Sequence, residues 1–207
     1  MIRDAHGTPI TPELLLHAYA QRAFPMADDR TGPIDWYRPE RRAIITWDRF
    51  KIPDSLRKTM RKQPYRISVD RAFPAVIAAC ADRRETWIST DLEALYVELH
   101  RLGHAHSVEA WRGDELVGGC YGLAVGPVFS GESMFHRADD AAKICVVHLV
   151  ERLRASGFAC LDCQQQSPHM RRFGAYEITD GEYERMIEGW VAEGSGERRG
   201  ERGEACR

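Results

Sequence analysis

"ADDAAKICVVHLVERLRASG", residues 138–157, is the longest helical stretch in the chain, and what flanks it decides the fold. Three strand-like segments precede it. "AHSVEAW" (105–111) and "LVGGCYGLAVG" (116–126) lie either side of the turn "RGDE", and "PVFSGESMF" (127–135) follows. After the helix come a strand "FACLDCQ" (158–164), a short helix "SPHMRRFG" (167–174), a strand "AYEITD" (175–180) and a helix "EYERMIEGWVAE" (182–193). Antiparallel strands, then a long helix leading back to a further strand, predict the α+β class.

Upstream, "TPELLLHAYAQRAF" opens a helix with Thr11 as cap and Pro12 in the first turn. "FPMADDRTGPIDWYRPERR" (24–42), with three prolines and a glycine, reads as loop. "IPDSLRKTMRKQP" (52–64) is a short helix, "YRISV" a strand, "FPAVIAACAD" a helix, and "DLEALYVELHRLG" an amphipathic helix stopped by Gly103. The tail "GSGERRGERGEACR" (194–207) is low-complexity and charged, and is expected to be disordered.

The 207 residues are 43% hydrophobic and 29% charged, enough for one large domain or a medium one with a small companion. No apolar run approaches the roughly 20 residues of a membrane span. The opening "MIRDAHGTPITPE" lacks the apolar core of a signal peptide, so the expected location is the cytoplasm. The six cysteines (80, 120, 145, 160, 163 and 206) read as reduced core thiols. In "CLDC" (160–163) a separation of three on a strand puts the thiols on opposite faces, and "HAH" (104–106) has no third ligand near it in sequence, so no metal site is expected. Residues 38–71 hold eleven Lys or Arg against four acids, a surplus of +7, leaving −9 for the remainder of a chain with net charge −2. Such a block is what a localised phosphate-binding face looks like, or a solvated helix face.

The order of elements is that of an acyltransferase domain of the acetyl-transferase type, which holds a pantetheine pyrophosphate on a glycine-rich turn opening the long helix. Here that helix opens with "HRADDAAK", where Asp139 and Asp140 would repel a pyrophosphate, so coenzyme A is disfavoured. Two strands carry candidate chemistry. Asp162 and Gln164, two apart, share a strand face at its C-terminal end; the carboxylate can orient the amide, whose carbonyl oxygen can accept a hydrogen bond from an amine. In "GESMFHR" (131–137) Glu132 stands among Val128, Phe129, Met134 and Phe135, where a carboxylate needs a partner, a proton or a task.

From Pro12 to Met186 the chain resembles the leucyl/phenylalanyl-tRNA–protein transferases, which add an amino acid to protein N-termini. The collinear stretches are "FP" (24–25), "DWYRPERRAI" (35–44), "QPYR" (63–66), "TWI" (86–88), "RLGHAHSVEAW", "ELVGGCYG", "GESMFHR", "LDCQ" and "FGAYEI". The resemblance implies a small N-terminal domain with a basic tRNA-facing helix (1–63), an acetyl-transferase-like catalytic domain (64–193), no cofactor and no metal. It makes Asp162 and Gln164 the catalytic pair and Glu132 the acceptor-binding acid. It lines the pocket for the transferred side chain with Trp87, Cys120, Phe129 and Leu161. It sets Trp36, Tyr37, Arg57, Lys58, Arg61, Lys62 and Tyr96 against the tRNA 3′ end.

The chain departs from the family at several positions. Met26 replaces the aromatic of "FPW" that would stack on the terminal adenosine, and Cys120 stands where Met is common. Asp54 replaces a basic residue, and the segment before Pro12 lacks the "GGDLS"-like opening. The implied activity is transfer of Leu or Phe, or Met, from aminoacyl-tRNA to proteins beginning with Arg or Lys, feeding N-end-rule degradation, by a monomer acting away from membranes. The alternatives are a non-catalytic aminoacyl-tRNA 3′-end binder and an acetyl-coenzyme A-dependent N-acetyltransferase.

Overall fold

The computed structural model describes residues 2–194. In chain order the elements are α1 (Pro12–Ala20), β1 (Phe24–Ala27), β2 (Ile34–Tyr37), β3 (Arg41–Ile45), α2 (Asp54–Arg61), β4 (Arg66–Val69), α3 (Phe73–Ala81), α4 (Thr90–Arg101), β5 (Ala105–Arg112), β6 (Glu115–Val125), β7 (Val128–His136), α5 (Ala141–Ala155), β8 (Cys160–Gln164), α6 (Pro168–Arg171), β9 (Tyr176–Thr179) and α7 (Asp180–Gly194). Of the expected disordered tail, only Gly194 falls among the described residues, at the end of α7; the rest lies outside them.

Seven strands form one mixed sheet in the order β4-β5-β6-β7-β8-β3-β9. Every pair is antiparallel except β7 with β8, which α5 joins as a parallel crossover. The chain is therefore α+β, as the order of elements predicts. One face of the sheet packs on α5, where Val108, Val117, Cys120, Phe129 and Leu161 meet Ile144, Val147 and Val150. The other face packs on α1, α3 and α4, where Tyr121, Leu123 and Phe135 meet Leu15, Phe73, Val76, Tyr96 and Leu99. A smaller cluster of Ile44, Val128, Cys160 and Tyr183 seats α7 at the β8–β3–β9 end.

The loop reading of 24–42 is corrected. Phe24–Ala27 and Ile34–Tyr37 pair as a two-stranded hairpin, and Arg41–Ile45 enters the large sheet between β8 and β9. Ala43, Ile44 and Ile45 are all fully buried. A strand covered on both faces shows no alternation of apolar and polar residues, so its signal is weak beside three prolines. The two thiols of "CLDC" do face apart, Cys160 toward Tyr183 and Cys163 toward the α5 core.

Two bulges adjoin one another. On β7 the register passes from Tyr121–Ser133 to Gly122–Gly131 and skips Glu132. On β8 it passes from Ile44–Asp162 to Ala43–Gln164 and skips Cys163. Gly122 is required at the first, because a Cβ there would lie 2.1 Å from the Ser130 carbonyl oxygen. The parallel β7–β8 pairing ends at Ser130–Asp162, although β7 continues to His136. The sheet thus parts beside the two bulges, and bulges re-aim side chains.

Candidate active site

At this parting a chain of hydrogen bonds crosses three strands and three helices. Gln164 donates through Nε2 to Glu132 Oε1 at 2.7 Å and to Ser130 Oγ at 3.0 Å. With both amide hydrogens engaged, what this side chain can offer a substrate is its carbonyl oxygen. Tyr96, on α4, donates to Glu132 Oε2 at 3.1 Å, and its oxygen lies 2.6 Å from that of Tyr19 on α1. Asp162 Oδ1 accepts the backbone N–H of Gln164 at 2.8 Å. This holds Gln164 in the left-handed conformation, φ 56°, in which strand geometry ends. Spacing predicts that Asp162 orients the Gln164 amide; in the fold it fixes the backbone, while Glu132 and Ser130 fix the amide.

Asp162 is 1% exposed and is held on its far side by Arg42, from β3, and Tyr183, from α7. Arg42 Nη1 lies 2.6 Å from Asp162 Oδ2 and the Tyr183 hydroxyl 2.8 Å from it. The Arg42 guanidinium is 2% exposed, sits 4.7 Å from the Tyr183 ring centre and 5.8 Å from that of Phe24, and donates through Nη2 to the Arg22 carbonyl. Burial alone would lower its pKa, but the Asp162 charge and then Tyr183 more than offset this and leave it raised. A further ionic cluster ties α7 to the N-terminal part: Asp180 meets Arg22 at 3.0 Å and Arg38 at 2.5 Å, and Glu184 meets Arg22 at 2.7 Å.

Glu132 is 9% exposed. Burial pushes its pKa from 4.5 up to about 7, the hydroxyls of Tyr19, Ser130 and Tyr96 pull it part of the way back, and the Asp162 charge adds to the rise. Near neutrality this carboxyl exchanges a proton readily, unlike an ordinary glutamate.

Beside Glu132 opens a cavity of about 300 Å³, lined among others by Trp87, Cys120, Met134, Val146, Leu149 and Leu161. Its walls are mainly apolar and suit an aliphatic or aromatic side chain. The expected pocket residues separate here. Trp87, Cys120 and Leu161 face the cavity, whereas Phe129 lies beneath the sheet, fully buried and edge-on to Phe158 at 6.1 Å.

The residues expected at the tRNA end also divide. Trp36 and Tyr37 lie on β2, Trp36 donating to Asp4 Oδ2 at 3.2 Å and Tyr37 stacking on Phe24 at 6.3 Å. The hairpin adjoins the cavity through Ala27 N–H, which donates to the Trp87 carbonyl at 3.0 Å. Tyr96 is fully buried behind Glu132. Arg57, Lys58 and Arg61 are exposed on α2 and Lys62 at its C-cap; Thr59 of this helix donates to Asp140 Oδ2 at 3.0 Å and so anchors it at the start of α5. That start is filled by side chains of the fold itself, since Lys143 Nζ also meets Asp140, at 2.6 Å.

Sequence reasoning missed Arg42, Tyr183, Ser130 and Tyr19. The one signal pointing to Arg42 is an arginine immediately before an uninterrupted apolar run, since a charge there needs a buried partner.

Two family models match the chain: Leucyl/phenylalanyl-tRNA protein transferase over residues 44–188, and Leucyl/phenylalanyl-tRNA protein transferase N-terminal domain over 8–40. A curated relative from Rhodopseudomonas palustris (strain BisB18), named leucyl/phenylalanyl-tRNA–protein transferase, is 49% identical over 191 residues, 90% of this chain and 83% of that protein. Solved structures with a looser likeness include the C-terminal domain of a putative lysylphosphatidylglycerol synthetase from Agrobacterium fabrum, 12% identical with TM-score 0.39 over 88% of this chain and 58% of that one. Another is L-PGS from Bacillus licheniformis, 14% identical with TM-score 0.45 over 75% and 52%. With both family models in chain order and half the residues shared with that relative, the chain belongs to the leucyl/phenylalanyl-tRNA protein transferase family.

Proposed function

We propose that this aminoacyltransferase moves leucine or phenylalanine, with methionine as a further donor, from aminoacyl-tRNA to the α-amino group of proteins beginning with Arg or Lys, marking them for N-end-rule degradation. The observation that carries the reading is the hydrogen bond from Gln164 to Glu132, which lines an apolar cavity, within a chain of this family. Among the described residues no helix is long and apolar enough to cross a membrane. The reaction belongs in the cytoplasm with the charged tRNA pool, and the enzyme acts as a monomer. In this reading residues 1–63 face the tRNA, with β3 lending a strand to the sheet of an acetyl-transferase-like catalytic domain at 64–193.

The donor is an activated ester, so the protein's task is positioning. The cavity bounded by Trp87, Cys120 and Leu161 holds the amino acid side chain, a burial that contributes about 1.5–3 kcal/mol. Phe129 supports that wall from behind. The acceptor amine, with a pKa near ~8, donates a hydrogen bond to the Gln164 carbonyl oxygen and attacks the ester carbonyl with its lone pair. The new C–N bond forms, the tRNA 3′ oxygen leaves, and a proton passes from the nitrogen to that oxygen. Glu132 faces the acceptor's cationic side chain, and Asp162 keeps Gln164 in place. Trp36 and Tyr37 stand beside the terminal nucleotide, Tyr96 braces Glu132, and the α2 cations take phosphates without reading sequence.

The deciding assay supplies labelled Leu-, Phe- and Met-tRNA with peptides beginning with Arg, Lys, Asp or Glu; transfer confined to Asp and Glu peptides, or absent from all, would sink the reading. Gln164→Ala and Asp162→Ala are each expected to lower turnover at least ~10-fold, the scale of one oriented proton-transfer contact. Turnover near wild type for both at saturating donor removes the pair from the mechanism. Arg57→Glu with Lys58→Glu should raise the KM for aminoacyl-tRNA and flatten its salt dependence. Transfer from aminoacyl-adenosine should hardly change, and an equal loss with both donors would make α2 structural only.

A further inference from the structure

The groove between the end of α2, strand β4, the β5–β6 turn and α5 takes no part in the chemistry above. It encloses about 690 Å³, and its lining includes Arg66, Arg112 and His148 but no acidic side chain. Two of these cations lie against aromatic rings: the Arg66 guanidinium is 5.3 Å from the Trp111 ring centre, and that of Arg112 is 5.6 Å from the Tyr65 ring centre. The rings are themselves fixed. Trp111 Nε1 donates to Ser68 Oγ at 2.7 Å, and the Tyr65 hydroxyl donates to the Asp139 carbonyl at 2.7 Å.

A guanidinium resting on an aromatic face keeps N–H groups at its edge for an oxyanion and loses little side-chain freedom on binding. Among the described residues neither Arg66 nor Arg112 forms an ion pair with a carboxylate, and both are exposed. The acids nearby include Glu151, 3.8 Å from His148, Asp114 and Glu115 at the β5–β6 turn, and Asp139, whose carbonyl accepts the Tyr65 hydroxyl. The groove starts at Met60 and Gln63, at the end of the helix that carries Arg57, Lys58 and Arg61 and is capped by Lys62, so along the chain its cations follow directly on those of α2.

We infer that this groove is a second phosphate-binding surface, which takes the sugar–phosphate backbone of the tRNA donor beyond the part held by α2. The inference rests on the tRNA-donor reading. Continuity with α2 favours RNA over an acidic peptide, because a polynucleotide presents phosphates at regular intervals across both elements, whereas isolated carboxylates would fill only one.

The test measures uncharged tRNA binding to the full-length protein by fluorescence anisotropy across a salt series, comparing wild type with Arg66→Glu/Arg112→Glu and with Arg66→Gln/Arg112→Gln. The Glu pair is expected to bind at least ~10-fold more weakly, with a log–log salt slope shallower by about 2, one for each phosphate that is no longer neutralised. The Gln pair, which introduces no repulsion, should show the same change of slope with a smaller loss, and melting curves confirm that both fold. Unchanged affinity and slope in either folded variant overturns the proposal. So does a loss of the same size at every salt concentration. If polyglutamate binds wild type but not the variants while tRNA affinity is unmoved, the surface serves an acidic protein and the RNA assignment fails. If wild type itself does not bind tRNA, the donor reading fails with the groove; failure of the groove alone leaves wild-type tRNA affinity intact.

Discussion

Arg42→Met is expected to destabilise the protein by about 3–5 kcal/mol, the range found when one member of a buried ion pair is removed. Arg42 and Asp162 are 2% and 1% exposed, and the guanidinium lies only 2.6 Å from the carboxylate. Methionine fills much of the space between Phe24 and Tyr183 but leaves the Asp162 charge with neutral donors alone, the Gln164 N–H and the Tyr183 hydroxyl. Asp162→Asn in the same background should recover a large part of the loss, because replacing both charges removes the uncompensated one. Urea unfolding of the two single variants and the double variant measures the coupling. A loss below about 1 kcal/mol for Arg42→Met, the range of an exposed pair, would mean that Asp162 does not depend on Arg42. Turnover should fall with stability, since Asp162 holds the backbone from which Gln164 projects.

Glu132→Gln is expected to lower kcat/KM for peptides beginning with Arg or Lys by roughly 10- to 150-fold, corresponding to a charge-assisted bond of about 1.5–3 kcal/mol in a dry cleft. A peptide beginning with citrulline, similar in shape and uncharged, should lose far less. The pH profile supplies a second signature. With its pKa pushed up to about 7, Glu132 gains its charge through neutrality, so wild-type kcat/KM for Arg peptides should climb through that region. The climb is distinct from the one near ~8 set by the acceptor amine itself. The variant should lose the lower climb and keep the upper.

Stability runs the other way. Between pH 4.5 and about 7 the folded protein retains a proton on Glu132 that the unfolded chain has lost, so stability falls as pH rises across this window. The fall is on the order of 3 kcal/mol at most. The Gln variant should therefore melt at a higher temperature relative to wild type at pH 8 than at pH 4.5. Equal losses for arginine and citrulline peptides, with a pH-independent melting difference, would end the acceptor role of Glu132.

The sequence exposes what is periodic and local. The basic helix, the three-strand run and the long helix at 141–155 can be read from spacing, caps and turns. β3 cannot, because "RRAII" is buried on both faces and has no alternation to detect. The β1–β2 hairpin is hidden because its four-residue strands are outweighed by Pro25, Pro33 and Gly32.

At the site, the two-residue spacing of Asp162 and Gln164 predicts neighbours, and they are hydrogen-bonded. Their division of labour depends on two bulges, of which only the first leaves a trace in the sequence, the glycines at 122 and 131. Arg42, 120 residues before Asp162, and Tyr183, 21 after it, reach the carboxylate through tertiary folding; Arg42 is marked only by its place ahead of an apolar run, and Tyr183 by no local pattern.

The position of β3 governs when the protein can become active during its own synthesis. Arg41–Ile45 leaves the ribosome early, yet both its neighbours in the sheet, β8 and β9, belong to the last quarter of the described chain. At roughly 5–20 residues per second, the interval between Arg42 and Asp162 lasts about 6–24 s. Throughout it, Ile44 and Ile45 have no strand to join and Arg42 has no counter-charge. The nascent chain thus carries an apolar, unpaired strand that invites chaperone binding, and a stall before residue 160 leaves a polypeptide with a complete basic helix and no reaction centre.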